Sequence, residues 1–245
     1  MTKHILIISG TMGSGKSTVA ISVSRALKEK GFKVKITHIT GFHNLAYLLL
    51  YCLARLTYNS KGFHELVKYK IHPVSLIEPH IIKRLVKLLT ILEILSFHIA
   101  FLYKIILPLK LRYDVIIVDE GPINTIGNYM ATISSHKDKM ILQRLIKNVL
   151  RLAQRTSLIA SLKIFFLDAD DFTLISRWEC RGYPRQMQPP FIYENYLAYL
   201  RYIRKARSLF GQALDVEIID INTSALSPLN VVKMMLNELN FFFFK

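Results

Sequence analysis

Nine residues near the start, Gly10-Thr11-Met12-Gly13-Ser14-Gly15-Lys16-Ser17-Thr18, constrain this chain more than any other stretch. They fit the pattern Gly-x-x-x-x-Gly-Lys-Ser/Thr. They follow an apolar run, His4 to Ser9, and open a helix-compatible stretch, Ser14 to Lys30, that ends at Gly31. Glycines at this spacing permit backbone angles closed to other residues, so successive N–H groups can turn inward around an anion. The positive end of the following helix adds to the same field. A buried strand, this loop and then a helix is the context in which the pattern grips the phosphates of a nucleoside triphosphate. Gly10, Met12, Gly13, Ser14, Gly15, Lys16, Ser17 and Thr18 are therefore expected to line the nucleotide site. Lys16 would reach the β- and γ-phosphates, and the Ser17 hydroxyl would bind Mg²⁺.

The rest of the chain alternates in the same manner. Short apolar runs rich in Ile and Val recur at Lys33–Ile39, Val115–Asp119, Lys163–Leu167 and Val216–Ile221, with helical stretches between them. Such runs predict a five-stranded parallel sheet covered on both faces, an α/β architecture in three layers. The 245 residues and the 51% hydrophobic content suit one such domain, 1–245, with a sizeable core. Between the second and third strands lies a helical insertion, about 41–111, far longer than an ordinary crossover. Ile81, Leu85, Leu88, Leu92, Leu95, Ile99, Leu102 and Ile106 follow three- and four-residue steps and are expected on one helical face, before a break at Pro108. Ile91, Ile94, Phe97 and Phe101 make the other face apolar as well, which points to a central helix buried on most sides or to a greasy face for a lipid-like acceptor or membrane. Leu88–Tyr103 contains Glu93 and His98 and falls short of the ~20 clean residues of a spanning helix.

A formal charge of +16 and a pI near 9.8 call for anionic partners. Nucleotides, nucleic acid and anionic membranes all qualify, but no nucleic-acid motif accompanies the charge. Phe241–Phe244 and the basic, greasy insertion leave room for peripheral membrane contact, and the insertion could equally bury itself in a homodimer. Cys52 and Cys180 lack metal-ligand spacing and read as buried thiols of a cytoplasmic protein. The histidines between His38 and His98 match no zinc pattern and read as surface or acceptor-site residues.

Two further constellations suit phosphoryl transfer. Tyr113-Asp114-Val115-Ile116-Ile117-Val118-Asp119-Glu120 is an apolar strand ending in two carboxylates. Asp119 at the strand tip would hold Mg²⁺ or its water, and Glu120 would act as general base. Side chains alternate along a strand, so the two acids are expected to point apart and divide these jobs. Arg177, Arg181 and Arg185 recur every four residues, and Gly182 and Pro184 end that helix, so the three guanidiniums suit a lid spanning about 172–190.

Together these residues resemble the P-loop nucleoside and nucleotide kinases, most closely the thymidylate kinase-like group. The resemblance rests on the GTMGSGKS loop, on YDVIIVDEGP, on Leu167-Asp168-Ala169-Asp170 followed by Arg177-Trp178-Glu179-Cys180-Arg181-Gly182, and on Val216–Ser224 with Pro228. It leaves Gly41–Leu111 unmatched. It implies transfer of the γ-phosphoryl of Mg-ATP to a small acceptor, with Arg177, Arg181 and Arg185 as lid residues and with Asn222 and Thr223 near the adenine. The chain also departs from that group. Glu120 stands where thymidylate kinases have an arginine after the strand-end acid, and the acidic-Pro-Gly-Gly segment after the second strand is replaced by Thr37-His38-Ile39-Thr40-Gly41-Phe42-His43. The Asp119-Glu120 pair also suits a hydrolytic ATPase, and a kinase of a lipid-like metabolite at a membrane surface is a further alternative. No Asn-Lys-x-Asp segment supports a guanine reader.

Overall fold

β1 (His4–Gly10) is buried along its whole length, as befits the middle strand of a sheet covered on both faces. The other strands are β2 (Val34–Ile39), β3 (Val115–Glu120), β4 (Ser161–Asp168) and β5 (Ile218–Asn222). They lie in the order β2-β3-β1-β4-β5 with every neighbouring pair parallel. The structure is a computed structural model, and it describes residues 3–39, 41, 44–57, 77, 79–133, 139–180, 193–213 and 216–243.

The helices are α1 (Lys16–Glu29), α2 (Leu45–Thr57), α3 (Pro79–Phe101), α4 (Pro122–Ile133), α5 (Lys139–Ser157), α6 (Asp171–Cys180), α7 (Tyr193–Ala213) and α8 (Pro228–Phe243). Alternation along the strands divides the core in two. Leu6, Ile8, Ile117 and Phe165 pack under α1 and α8. Ile5, Ile7, Ile116, Val118 and Ile164 pack under a thicker layer built from α2, α3, α4, α5 and α7. A third, smaller cluster joins α6 to α7, where Trp178 stacks on Tyr196 with ring centroids 4.9 Å apart.

The boundaries differ from the sequence expectation where backbone geometry intervenes. α1 starts at Lys16 rather than Ser14, because Gly15 has a left-handed φ of 91° that no helix can include. Its end follows the expected glycine signal: Gly31 is left-handed, and Phe32 N–H reaches back to the Leu27 carbonyl. Pro108 does not break the helix in the insertion. α3 runs on through a π turn at Leu102–Ile106 and a last α turn at Leu107–Leu111. A wider turn just before the proline relieves the clash between its ring and the carbonyl four residues back.

α3 also presents a different face from the one expected. Ile82, Val86, Leu89, Phe97, Ala100, Ile105 and Leu109 face the core, together with the polar Thr90, Glu93 and Ser96. Leu88, Leu95, Ile99 and Leu102 of the expected stripe are exposed, as is Ile91, so the helix is not buried on most sides. An almost uniformly apolar helix gives periodicity nothing to choose by. Here the inward face was fixed by which residues meet α2, α4 and α5; Ser96, for example, accepts the Leu45 N–H through its Oγ. Both cysteines are exposed rather than buried: Cys52 lies on the outward side of α2 and Cys180 at the end of α6.

Candidate nucleotide site

The loop between β1 and α1 takes its shape from the backbones beneath it. At Gly10, φ is +143° and an added Cβ would sit 1.9 Å from the Leu167 carbonyl oxygen, so only glycine fits beside β4. The Gly10 peptide is held on both edges by the buried Asn124 of α4. Its N–H donates to Asn124 Oδ1 at 3.2 Å, and Asn124 Nδ2 donates to its carbonyl at 2.9 Å. Lys16 Nζ and Ser14 Oγ both donate to the Thr11 carbonyl at 2.8 Å. No side chain caps the N-terminus of α1, which leaves its positive end facing the loop's own hollow. Met12 is exposed, and its carbonyl accepts the Tyr196 hydroxyl at 2.8 Å, which ties the loop to α7. Thr18 is exposed on the first turn of α1.

The tip of β3 meets the start of α1. Ser17 Oγ donates to Asp119 Oδ2 at 2.6 Å, whereas Asp119 Oδ1 is buried without a hydrogen-bond partner. An orphaned carboxylate oxygen beside a hydroxyl suits a hard cation that prefers oxygen ligands. Among the described residues no cluster of three or more His, Cys, Asp or Glu could hold a metal. Mg²⁺ commonly takes one or two carboxylates plus substrate phosphates, so Ser17 and Asp119 are the residues that would hold it here.

Glu120 departs from strand geometry, with φ at 81°. A non-glycine residue in that region costs free energy and marks a position fixed by its surroundings. Here the Glu120 carbonyl accepts a hydrogen bond from Ser9 Oγ, and the next N–H, of Gly121, donates to the Ile39 carbonyl at 2.7 Å. The left-handed step replaces strand alternation, so the two acids do not point apart as expected. Both reach the ring of His38 on β2, with Asp119 Oδ2 3.9 Å from Nδ1 and Glu120 Oε2 3.7 Å from Nε2. Tyr199 of α7 lies within the field of Glu120 and hydrogen-bonds Asn124. Burial, and then the Glu120 charge, push its hydroxyl pKa far above the usual tyrosine range.

Arg177 lies on α6 with its guanidinium turned toward the far edge of the loop. It donates to the Thr223 carbonyl at 2.6 Å, to Thr223 Oγ1 at 3.0 Å and to the Gly13 carbonyl at 3.5 Å. Thr223 is held in turn by the Asp168 carbonyl, which accepts its N–H at 2.7 Å, and Asn222 Oδ1 accepts the Ser224 N–H at 2.9 Å. The structure thus joins Arg177 to the Thr223 turn across the loop. Arg181 and Arg185 lie outside the described residues.

No residue pattern announced the buttress that Asp168 and Arg204 form behind these groups. Asp168 at the tip of β4 accepts hydrogen bonds from Thr11 Oγ1 at 2.8 Å and from Arg204 Nε at 2.7 Å. Arg204, on α7, also donates to Asp171 at 2.7 Å and to the Ala169 carbonyl at 2.9 Å. The charge-assisted bonds to Asp168 raise the Arg204 pKa further above its already high value. Asn124, His38, Tyr196 and Arg204 belong to no local motif. Only spacing-independent contacts between residues far apart in the chain bring them to the site.

No protein-family model matches this chain, and no curated protein does. Among solved structures, the chain is similar to a deoxyadenosine kinase from M. mycoides with bound dCTP. The two are 16% identical with a TM-score of 0.55, and the match covers 96% of this chain and 98% of that one. It also matches the YorR protein of Bacillus subtilis in complex with phosphorylated GDP, at 17% identity and a TM-score of 0.45, over 97% of this chain and 98% of that one. The first likeness shows a shared architecture. This chain has the fold of the P-loop kinases, a five-stranded parallel sheet flanked by helices.

Proposed function

We propose that this protein is a phosphotransferase that moves the γ-phosphoryl of Mg-ATP to the hydroxyl or phosphate of a small acceptor, a nucleoside or nucleotide, in the manner of the thymidylate kinase-like group. The observation that carries the reading is the corner formed by Ser17, Asp119, Glu120 and His38 beside the Lys16 loop. A loop with a lysine at its end provides for a polyphosphate. A second carboxylate beside the first provides for a proton. Mg²⁺ bound to the nucleotide would neutralise charge on the β- and γ-phosphates, held by Ser17 and Asp119.

In the proposed step the acceptor oxygen attacks the γ-phosphorus, and the bond from that phosphorus to the β–γ bridging oxygen breaks. Glu120 takes the proton of an acceptor hydroxyl as the new P–O bond forms. Lys16 stabilises the charge that builds on the leaving β-phosphate. Arg177 holds the Thr223 turn, where the adenine would lie, and Arg181 and Arg185 would bring further positive charge from the lid. His38 lies 3.9 Å from Asp119 and 3.7 Å from Glu120, and its carbonyl accepts a hydrogen bond from Lys104 at 2.7 Å, so an acceptor approaching Glu120 would pass this histidine. A nucleoside acceptor suits the likeness to a deoxyadenosine kinase.

The test is a screen of nucleosides, nucleoside monophosphates and lipid alcohols for transfer of label from γ-³²P-ATP, with a control lacking acceptor. Label on a nucleoside or nucleotide supports the reading. Brisk release of inorganic phosphate without acceptor would instead make the protein an ATPase.

A further inference from the structure

The outward side of the helical layer combines an apolar stripe with basic charge. Leu88, Ile91, Leu95, Ile99 and Leu102 follow one another at three- and four-residue steps along α3 and its π turn, each between 45% and 61% exposed. Fifteen residues of helix make a stripe about 21 Å long. Exposed Arg84 and Lys87 precede it, and exposed Lys110 and Arg112 follow it. Beside it α5 packs against α3 and turns Arg144, Lys147, Arg151 and Arg155 outward. Across α2, Pro79–Leu111 and α5 the single acidic residue is Glu93, which is fully buried.

We propose that this face docks the protein on an anionic bilayer surface. α3 lies in the plane of the interface, with its apolar stripe among the upper acyl chains and the α5 arginines against lipid phosphates. Apolar side chains flanked by basic ones, with no exposed acid among the described residues of these helices, have the composition of an interfacial helix, and each basic residue near such a surface adds attraction. The charge selects this occupant over others. In a second copy docked on the same face, every flanking charge would meet one of its own sign, whether the two α3 helices ran parallel or antiparallel. Nucleic acid supplies phosphates but nothing for the stripe to bury against. By length and composition the helix from Arg84 to Leu111 could cross a membrane. Its inward side nevertheless holds Val86, Leu89 and Phe97 in the core, and a crossing would strip them out along with Glu93. α8, which leads to the terminal phenylalanines, packs on the opposite side of the sheet and belongs to a different surface.

The proposal does not rest on the phosphotransfer reading, because its test involves no turnover. The full chain is floated with vesicles of phosphatidylcholine alone or with about 30% phosphatidylglycerol added to supply negative surface charge. Flotation is expected with the anionic vesicles, weakening roughly 10-fold between low and high salt. Arg144→Gln with Lys147→Gln and Arg151→Gln should lower the partition coefficient on the order of 100-fold, given the attraction of each charge to the surface. Leu95→Ser with Ile99→Ser should lower it about 10-fold or more while leaving the melting temperature in place, since both side chains are exposed. Wild-type protein that stays at the bottom of the gradient would overturn the proposal. So would a Leu95→Ser/Ile99→Ser variant that turns a dimer into a monomer, since a second copy would then be the occupant. A large drop in its melting temperature would overturn the proposal too, by showing that the stripe is packed within the folded chain.

Discussion

The corner around Gly10 and the helical layer around α3 are held by opposite kinds of force. In the corner, polar side chains fix backbone positions one by one: Asn124 clamps the Gly10 peptide, Asp168 joins Thr11 to Arg204, and Arg177 pins Thr223. In the layer, burial does the holding. It is non-directional, so Leu88 and Leu95 can stay exposed while Val86, Leu89 and Phe97 face in. A site that must place a phosphate within a fraction of an ångström needs the first kind. A helix that only has to cover a sheet can use the second and keep one face for another purpose.

The largest effect that would sharpen this contrast is on chemistry. Lys16→Ala should lower the rate of phosphoryl transfer about 10³-fold, the loss of roughly 4 kcal/mol of transition-state stabilisation. Its effect on stability should be near 1 kcal/mol, the usual worth of one hydrogen bond such as that to the Thr11 carbonyl. Steady-state kinetics beside a thermal melt separates the two. A large loss of stability with unchanged turnover would make Lys16 a structural residue and break the division between the regions.

Next comes a pair of substitutions within one turn of α3. Phe97→Ala should cost about 3–4 kcal/mol, because it opens a cavity against the sheet-facing core. Leu95→Ala, two residues away, should cost under about 0.5 kcal/mol, as surface changes do. Urea denaturation of both variants checks this directly. Similar costs for the two would mean that the outward stripe is packed.

This pair also marks where the sequence could be read and where it could not. All five strands were legible, because parallel strands buried on both faces read as continuous Ile- and Val-rich runs. The stop of α1 was legible from Gly31, and its start, expected at Ser14, lay two residues early because Gly15 is left-handed. The inward face of α3 was not, because residues such as Ile91, Ile94, Phe97 and Phe101 make every side apolar and the buried set includes Glu93 and Ser96. Pro108 misled for a related reason: a π turn is a response to the proline that no residue pattern announces. In the site, the loop and the β3 acids were legible as motifs. The turn at Glu120 that brings both acids to His38 was not, since nothing about a glutamate announces φ near 81°. Arg204 was equally hidden, standing 36 residues from Asp168 in the sequence with no motif around it.

A smaller effect probes that hidden buttress. Asp168→Ala removes the acceptor of Thr11 and of two Arg204 nitrogens and should cost about 2–3 kcal/mol, as loss of hydrogen bonds to charged groups does. Asp171→Ala touches the same arginine from a more exposed position and should cost about 1 kcal/mol or less. Asp168→Ala should also weaken nucleotide binding, measurable by calorimetry, because it frees the loop at Thr11. Unchanged affinity would show that Asn124 alone suffices to hold the loop.

The subtlest effect is on how stability changes with pH. His4 begins β1, the strand that leads into the loop. Burial lowers its pKa below the ordinary 6.5, partly opposed by the nearby Asp114 charge. The unfolded chain therefore binds a proton that the folded chain resists, so this contribution to stability is intact above about pH 6.5 and is lost as pH falls. Tyr129 is buried in the helical layer, where its hydroxyl donates to the Leu89 carbonyl at 3.3 Å. Burial, and then the charge of Glu93, raise its pKa well above 10. The sign is reversed there. The unfolded chain gives up a proton that the folded chain keeps, so stability is lost as pH rises past about 10. Melting temperatures of the wild type, His4→Gln and Tyr129→Phe across pH 5 to 11 test both arms, each variant reducing its own arm and leaving the other, while Tyr199 keeps part of the alkaline arm in Tyr129→Phe. A His4→Gln variant with an unchanged acid arm would move that sensitivity away from β1 and onto the protein's other histidines and carboxylates.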